Sequence, residues 1–253
     1  MNRLEFVKNA VTVAALSPLS NLSAEDSNNN ENQQKLKMII VNGSPRKNGN
    51  TISMLNKVAE GAKDAGCETK IVHLRDIKFT GCLSCLACKV KGNKTNGLCA
   101  LRDELRPILE ETLASDILVL GSPIYYHSPS AFTRAFMERL LFAPLDYYNN
   151  PGSSVLTKKI QNALVLTMHV MNDELFNSMN YSQVLGASAK AMELLGPSEK
   201  LYLKGLSVFP NHEKYLMSKH FGDILDNMRK EHFDEYQKQA YELGQRLVEK
   251  CKF

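Results

Sequence analysis

The sequence lacks several features that would mark common functional classes. No apolar run approaches the ~20 residues of a membrane-spanning helix, so we expect no stable membrane insertion. It has no dense run of Lys and Arg, and its formal net charge is only +4. We therefore do not expect a nucleic-acid partner, and this charge would serve a small anionic ligand equally well. Internal repeats are also missing, which argues against a solenoid. The 253 residues are 43% hydrophobic, typical of a globular protein with one large domain.

Residues 1–35 differ in composition from the rest of the chain. "MNRLEFVKNAVTVAALSPLSNLSA" has a basic start, a short apolar run and small residues near Ala24, as an export signal does. Its R-L-E-F-V-K segment resembles a twin-arginine signal in which Leu4 has replaced the second arginine. The alternative is an amphipathic N-terminus that stays attached, so exported and cytoplasmic locations both stay open. The polar stretch "EDSNNNENQQK" is typical of a linker, and we predict the folded domain over residues 36–253.

Short apolar runs alternate with helical periodicity from Leu36 onward. Five strands are predicted, at "LKMIIVNG", "CETKIVHL", "DILVLGSP", "IQNALVLTMHV" and "EKLYLKGLSVF". Helices are predicted over residues 51–66, 102–115, 128–141, 173–196 and 221–250. This alternation predicts an α/β fold with a doubly wound five-stranded parallel sheet and helices on both faces. Two segments interrupt it, a cysteine-rich loop at 81–99 and an insertion at 142–158. Ligands of such sheets bind beyond the carboxyl ends of the strands.

The loop after the first strand reads "NGSPRKNGNT" and directly precedes a helix. Hydroxyl, guanidinium and amide side chains accompany the free N–H groups of the helix start, a combination that suits a phosphate. The chain has no G-x-G-x-x-G and no G-x-x-x-x-G-K-[ST], so a Rossmann dinucleotide site and a P-loop are both disfavoured. A monophosphate such as that of FMN remains, although a polar turn with a capping residue would look similar.

The third strand ends in "GSPIYYHSPS", at the same edge of the predicted sheet. Ser-Pro favours an extended turn, and Tyr125 and Tyr126 can present flat faces to an aromatic ring system. Either tyrosine alone could be a half-buried residue at a strand end. A phosphate loop and an aromatic loop at neighbouring strand ends together favour a flavin.

Four of the six cysteines lie between Gly81 and Cys99, in the stretch "GCLSCLACKVKGNKTNGLC". Three cysteines spaced C-x2-C-x2-C with a remote fourth can wrap one face of a [4Fe-4S] cluster. Zinc prefers two separated C-x2-C pairs, and disulfides require an oxidising location. Small buried residues or free thiols are the remaining interpretation, so the spacing leaves these alternatives open.

These motifs resemble the NAD(P)H-dependent FMN reductase and iron–sulfur flavoprotein family over residues 37–140. "NGSPRKNGNT" resembles the family's phosphate loop, "GSPIYYHSPS" its S-P-x-Y flavin loop, and "FTRAFMERL" its K-x-x-x-D-R helix, with Arg134 and Glu138 as replacements and Arg139 retained. The resemblance implies a flavodoxin-like sheet of strand order 2-1-3-4-5. It implies a phosphate site at Ser44, Arg46, Asn50 and Thr51. It also implies an isoalloxazine site at Ser122, Pro123, Ile124, Tyr125 and Tyr126, and a third flavin loop from Thr167 to His169.

The resemblance extends to the cysteines, because the iron–sulfur branch carries a compact cysteine motif at this point of the chain. It implies Cys82, Cys85, Cys88 and Cys99 as candidate cluster ligands, although the ten residues before Cys99 exceed the compact spacing of that branch.

We therefore hypothesise an FMN-dependent oxidoreductase that passes electrons from NAD(P)H to a small-molecule or protein acceptor. No general acid or base would be required for this, and no catalytic side chain is predicted. The alternatives are an iron–sulfur flavoprotein acting in electron transfer and a flavin-free binding protein on the same fold. A homodimer or homotetramer is expected. Tyr147 and Tyr148 of the insertion could cover the flavin or pack at the subunit interface, and we favour the interface.

Overall fold

Five strands form one parallel sheet in the computed structural model, which describes residues 35–170, 172–209 and 212–252. They are β1 (Lys37–Asn42), β2 (Glu68–His73), β3 (Ile117–Tyr125), β5 (Gln161–Thr167) and β6 (Ser198–Leu203), in the order β2-β1-β3-β5-β6. The two-residue β4 (Ser128–Pro129) pairs only with the end of β3, antiparallel. Without β4 the order is the flavodoxin-like 2-1-3-4-5, so the predicted fold is confirmed. The predicted leader and nearly all of the linker lie outside the described residues, and their assignment stays a prediction.

Six helices flank the sheet in the described part of the chain. They are α1 (Asn50–Asp64), α2 (Arg106–Ala114), α3 (Ala131–Phe142), α4 (Asp173–Ser178), α5 (Tyr181–Met192) and α6 (Lys219–Glu249). None of them is long and apolar enough to cross a membrane. The predicted single helix over residues 173–196 is wrong, because Asn180 has φ 53° and separates α4 from α5. Asn is among the few residues that adopt this left-handed conformation readily.

Alternate residues of the strands enter two hydrophobic cores, one on each face of the sheet. Met38 and Ile40 of β1 pack with α1 and α6, whereas Ile39 and Val41 pack on the side of α2, α3 and α5. This two-sided burial explains why the strands are continuous apolar runs.

Helices α1 and α6 cross at glycines and lie unusually close together. A Cβ added at Gly61 would overlap the Tyr241 carbonyl, and one added at Gly244 would overlap the Val58 carbonyl. The crossing holds the long closing helix against α1, so that residues preceding α6 reach the carboxyl edge of the sheet, where the candidate site lies.

Candidate functional site

A cleft with a volume of about 300 Å³ opens at the carboxyl ends of β1, β3, β5 and β6. Four segments contribute to its walls, with lining residues at 44, 46 and 48–51, at 123–125, at 167–169 and at 206–209. The cleft spans the β1–β3 boundary, the point where the strand order reverses and where doubly wound sheets bind ligands. Its size is at the lower end of the range of small-molecule sites.

Asn42, at the end of β1, organises the loop that follows. Its side chain is fully buried, and its Oδ1 accepts a hydrogen bond from the Ser44 amide (3.0 Å). Its Nδ2 lies 3.0 Å from His73 Nδ1, and it also reaches the Arg46 carbonyl at 3.5 Å. The Ser44 hydroxyl then accepts from the Arg46 amide at 3.1 Å. Sequence analysis did not single out Asn42, because a buried amide after a strand has no distinctive local pattern.

Gly43 lets this loop approach the start of α3. The Ser130 hydroxyl donates to the Gly43 carbonyl (2.5 Å) and lies 3.0 Å from Thr133 Oγ1. A Cβ on Gly43 would overlap Thr133 Oγ1. Ser130 also caps α3, because its side chain accepts a hydrogen bond from the Thr133 amide.

The first turn of α1 presents to the cleft groups of the kind that bind anions in other proteins. Its N-cap, Gly49, offers no side-chain acceptor, and the first helical hydrogen bond runs from the Ser53 amide to Gly49 O (3.1 Å). The N–H groups before Ser53 are therefore those that helix starts present to phosphates. Thr51 is buried, and its hydroxyl shares a hydrogen bond of 2.7 Å with the Thr167 hydroxyl at the end of β5. The loops after β1 and β5 are thereby joined.

The β3–β4 turn projects from the edge of the sheet in a strained conformation. Tyr126 and His127 have φ of 45° and 64°, values that bulky residues rarely adopt, and such strain is concentrated at functional sites. Tyr125 lines the cleft, but Tyr126 is 99% exposed and does not. Ser122 is buried, and its hydroxyl accepts from the Ser130 amide at 2.9 Å. It therefore supports the turn from behind.

His169 forms the end of the third loop and faces the start of α6. Its ring stacks on Phe221 with centroids 5.7 Å apart. Burial, and then the nearby His212, lower the pKa of His169. The imidazole is therefore neutral at pH 7 and can contact an aromatic ring without the cost of burying a charge.

A fourth wall, which sequence analysis missed, follows β6. The Asn50 amide donates to the Ser207 carbonyl (2.8 Å), and the Arg46 guanidinium donates to the Val208 carbonyl. This side of the cleft also includes Phe209 and Tyr215, which precede α6, and Arg229, which lies on α6. No motif marks these residues. The rule that ligands lie at the carboxyl ends of strands, applied to β6, would have pointed to them.

Nine of the eleven predicted cofactor-binding residues therefore line one cleft: Ser44, Arg46, Asn50, Thr51, Pro123, Ile124, Tyr125, Thr167 and His169. The arrangement fits the phosphate of FMN in its donor set, since hydroxyl, guanidinium and helix N–H groups converge. Tyr125 and His169 also line the cleft and give it flat side chains that suit an aromatic ring system.

All four cysteines of the 81–99 loop line a second, smaller cavity, against the carboxyl-terminal half of α3. The six cysteines of the chain are all free, so the disulfide alternative is not realised here. No group of three or more Cys, His, Asp or Glu side chains in the described residues is arranged to hold a single metal ion. Four cysteine thiols that line one cavity are a donor set that suits an iron–sulfur cluster. The cavity holds only about 20 Å³, so the exposed loop over residues 83–87 would move outward around a cluster.

The backbone of this loop is strained, and burial affects one of its thiols. Ser84 and Leu86, the residues on either side of Cys85, have φ of 51° and 57°. Burial raises the pKa of the Cys88 thiol, although the Lys89 ammonium acts in the opposite direction.

Helix α3 holds this loop at three points. Glu138 accepts a hydrogen bond from the Cys82 amide (3.1 Å), and the Lys89 ammonium donates to the Ala143 carbonyl at 2.9 Å. Arg139 donates to Cys99 Sγ (3.0 Å) and pairs with Asp103. Burial alone would lower the pKa of Arg139, but these two partners raise it.

A flavodoxin-like sheet with an anion-binding cleft at its switch point defines an α/β protein built to hold a mononucleotide cofactor. Comparison with protein families agrees with this class. The chain belongs to the NADPH-dependent FMN reductase family, whose model matches residues 36–182, and the cofactor of that family is FMN. The predicted family is thereby confirmed.

Curated relatives of the chain are named iron–sulfur flavoproteins. One from Archaeoglobus fulgidus is 31% identical over 130 residues, which cover 50% of this chain and 61% of the relative. One from Methanocaldococcus jannaschii is 32% identical over 104 residues, covering 41% of this chain and 51% of the relative. The chain thus spans about half to three fifths of the length of these relatives.

Solved structures agree with the fold. An NAD(P)H:quinone oxidoreductase from Methanothermobacter marburgensis superposes with a TM-score of 0.58 at 14% identity, over 84% of this chain and 97% of the other. An azoreductase from Bacillus anthracis gives 0.55 at 15% identity, over 82% of this chain and all of the other.

Proposed function

We propose that the protein is an FMN-dependent oxidoreductase that takes electrons from NAD(P)H and passes them to an acceptor. The observation that carries this proposal is the single cleft in which the phosphate-type and aromatic-type loops meet, within a chain of the FMN reductase family. When bound, FMN supplies hydride acceptance and electron transfer, and the protein supplies binding, orientation and electrostatics.

The proposed roles follow from the chemistry of each wall. Ser44, Arg46, Asn50 and Thr51 hold the phosphate with charge-assisted hydrogen bonds. For this, Arg46 and Asn50 exchange their carbonyl partners on the β6 loop for phosphate oxygens. The segment from Pro123 to Tyr125 supports the edge of the ring, with the neutral His169 at the opposite side. No side chain in the cleft needs to act as a general acid or base.

Flavin binding is tested first with two matched variants of neighbouring cations. Arg46→Gln should weaken FMN binding about 10- to 100-fold, since a hydrogen bond to a charged group contributes about 1.5–3 kcal/mol. Lys47→Gln is the control, because Lys47 is ion-paired with Asp76 at 2.7 Å and does not line the cleft. Quenching of FMN fluorescence measures both. Wild-type protein that binds no FMN would refute the proposal and favour a flavin-free binding protein. Unchanged FMN affinity in Arg46→Gln and Thr51→Val would refute the roles proposed for these two residues.

The electron donor and acceptor are tested on the FMN-loaded protein. Oxidation of NADH and of NADPH is followed at 340 nm with a quinone, an azo dye or free flavin as acceptor. Turnover with either nicotinamide supports the reductase. Reduction of bound FMN by dithionite but by neither nicotinamide would shift the proposal to electron transfer from a protein donor.

The second candidate, an iron–sulfur flavoprotein, is favoured by the four cysteines around one cavity. Cys82, Cys85, Cys88 and Cys99 would hold a [4Fe-4S] cluster, which supplies one-electron transfer. Anaerobic purification should then yield roughly four irons and four sulfides per chain and a broad absorption shoulder near ~400 nm. Flavin bands without iron would leave the cysteines as metal-free thiols.

The proposal includes a homodimer or homotetramer. An open groove of about 1220 Å³ between α3, α5 and the 142–158 insertion supports it, with apolar walls that include Met137, Leu141 and Val184. Sedimentation velocity tests it, and a monomer at micromolar concentration would refute it. The location, exported or cytoplasmic, depends on residues 1–24, and N-terminal sequencing of the mature protein decides it.

A further inference from the structure

Arg139 is a charged residue that does not line the flavin cleft. Its side chain lies on α3 and is only 1% exposed, and it is the largest of the fully buried side chains. Burying a guanidinium is costly unless every donor is satisfied. The partners of Arg139 therefore indicate what it is retained for.

All five N–H donors of Arg139 are used, and all of them point to the cysteine segment and its flanks. The two terminal nitrogens form a bidentate pair with the Asp103 carboxylate, at 2.7 and 3.0 Å. They also donate to the carbonyls of Thr80 and Leu101, both at 3.2 Å. The fifth donor, Nε, points at Cys99 Sγ from 3.0 Å.

This pattern spans both ends of the cysteine loop. Thr80 lies just before Cys82, while Leu101 and Asp103 lie just after Cys99. One rigid, planar group therefore fixes the entry and exit of the loop relative to each other. Asp103 also accepts a hydrogen bond from the Leu105 amide (3.2 Å), which holds its carboxylate in place for Arg139.

The contact with sulfur has a chemical meaning of its own. A neutral thiol is a weak acceptor, whereas a metal-bound thiolate is a charged acceptor that a guanidinium N–H satisfies well. Hydrogen bonds and positive charge near the sulfur ligands of a cluster stabilise its reduced, more negative state.

We propose that Arg139 is the positioning residue of the cysteine site: its buried fork orders Cys99 as the remote fourth ligand and raises the reduction potential of the cluster through the Nε–H···Sγ contact. The proposal rests on the iron–sulfur candidate above. It deepens that candidate by assigning to the protein a means of setting the potential, separate from the four ligands.

The test uses the anaerobically loaded holoprotein and three variants. Arg139→Lys keeps the charge but loses the fork. The double variant Arg139→Gln with Asp103→Asn replaces the buried ion pair by a neutral amide pair, which avoids an uncompensated carboxylate if Arg139→Lys does not fold. Arg134→Gln is the matched control, because Arg134 lies on the same helix, is exposed and bonds only to the Ser128 hydroxyl (3.2 Å) in the described structure.

Three quantities are measured on each protein: bound FMN, the rate of iron loss to a chelator and the midpoint potential of the cluster by spectroelectrochemical titration. We expect both Arg139 variants to keep FMN. Compared with the wild type, they should lose iron at least about tenfold faster, and the midpoint potential of their cluster should be lower. Arg134→Gln should match the wild type in all three.

The outcomes distinguish a failure of the iron–sulfur candidate from a failure of the role proposed for Arg139. If the wild type takes up FMN but no iron, the iron–sulfur candidate fails and this inference fails with it. If the wild type holds a cluster but folded, FMN-loaded Arg139 variants keep its potential and iron-loss rate, only the role of Arg139 is refuted. Faster iron loss with an unchanged potential would refute the tuning through Nε–H···Sγ and reduce Arg139 to a loop anchor.

Discussion

Gly43 offers a sharp test of how closely the phosphate loop approaches α3. In Gly43→Ala the added methyl group would overlap Thr133 Oγ1, and it would lie 3.1 Å from both the Thr133 Cβ and the Gly121 carbonyl oxygen. Thr133 is fully buried and hydrogen-bonded to Ser130, so it cannot swing away freely. Overpacking of this kind costs about 1–3 kcal/mol in the free energy of unfolding.

The size of the effect is worked out with a second substitution. Thr133→Ala removes the oxygen that would be struck and leaves only the contacts at 3.1 Å. By itself it should cost about 1 kcal/mol, through the lost hydrogen bond. If the steric account is right, Gly43→Ala costs little more in the Thr133→Ala background, so the coupling energy is about 1–2 kcal/mol.

Urea unfolding of the FMN-free protein measures the four free energies, and FMN fluorescence gives the flavin affinity of each variant. Gly186→Ala, in α5, is the control: the nearest atom to its added Cβ is Lys200 Nζ at 3.9 Å, so it should be neutral or stabilise by up to about 1 kcal/mol. Strict additivity of Gly43→Ala and Thr133→Ala, within about 0.5 kcal/mol, would refute the steric reasoning.

Three further predictions concern stability and reactivity. Gly244→Ala should destabilise by about 2 kcal/mol or more in urea unfolding, because the new Cβ would meet the rigid Val58 carbonyl rather than a mobile side chain; a neutral effect would contradict the close crossing of α1 and α6. At pH 8, iodoacetamide should label Cys85 well before Cys67 in the metal-free protein. Cys85 is exposed, whereas burial is the largest cause that raises the pKa of the Cys67 thiol to about 11. Equal labelling of the two cysteines by mass spectrometry would contradict this prediction. Burial alone would raise the pKa of Glu199, but hydrogen bonds from Lys250, just after α6, and from Arg246 of α6 lower it. Its ion pairs therefore stabilise the fold above the unfolded pKa, near 4.5, and this contribution is lost as the pH falls through the lower folded value. Glu199→Gln should then cost roughly 1 kcal/mol at pH 7 and little at pH 3, and an equal cost at both pH values would refute the assignment.

The local patterns of the chain were sufficient for the order of elements but not for every boundary. Apolar runs and helical periodicity identified all five strands of the sheet, because a parallel strand buried on both faces has a distinctive composition. They did not reveal the break at Asn180, because the apolar residues on either side continue the helical spacing and only the backbone conformation of one residue interrupts it.

Local motifs predicted one part of the candidate site, and only the fold revealed the other part. Motifs after β1 and β3 identified half of the residues that line the cleft, since turn glycines, hydroxyls and cations carry their chemistry in the local sequence. Tyr126 does not line the cleft, because the tight turn at Tyr126 and His127 directs it into solvent, and its ring contact stays a prediction. The fourth wall after β6 carries no motif, and only the sheet order brings it to Arg46 and Asn50.

Local patterns of neighbouring residues were enough to predict the fold class, the family and the cluster of four cysteines. The tertiary structure was needed to show that Arg139 is buried and that its N–H donors all point to the flanks and the sulfur of the cysteine loop. It alone decided that a buried amide at Asn42 shapes the phosphate loop. The partners of Arg139 lie 36 to 59 residues away in the chain. Asn42 reaches His73 only because β1 and β2 pair in the sheet. Contacts of this kind leave no local pattern in the sequence.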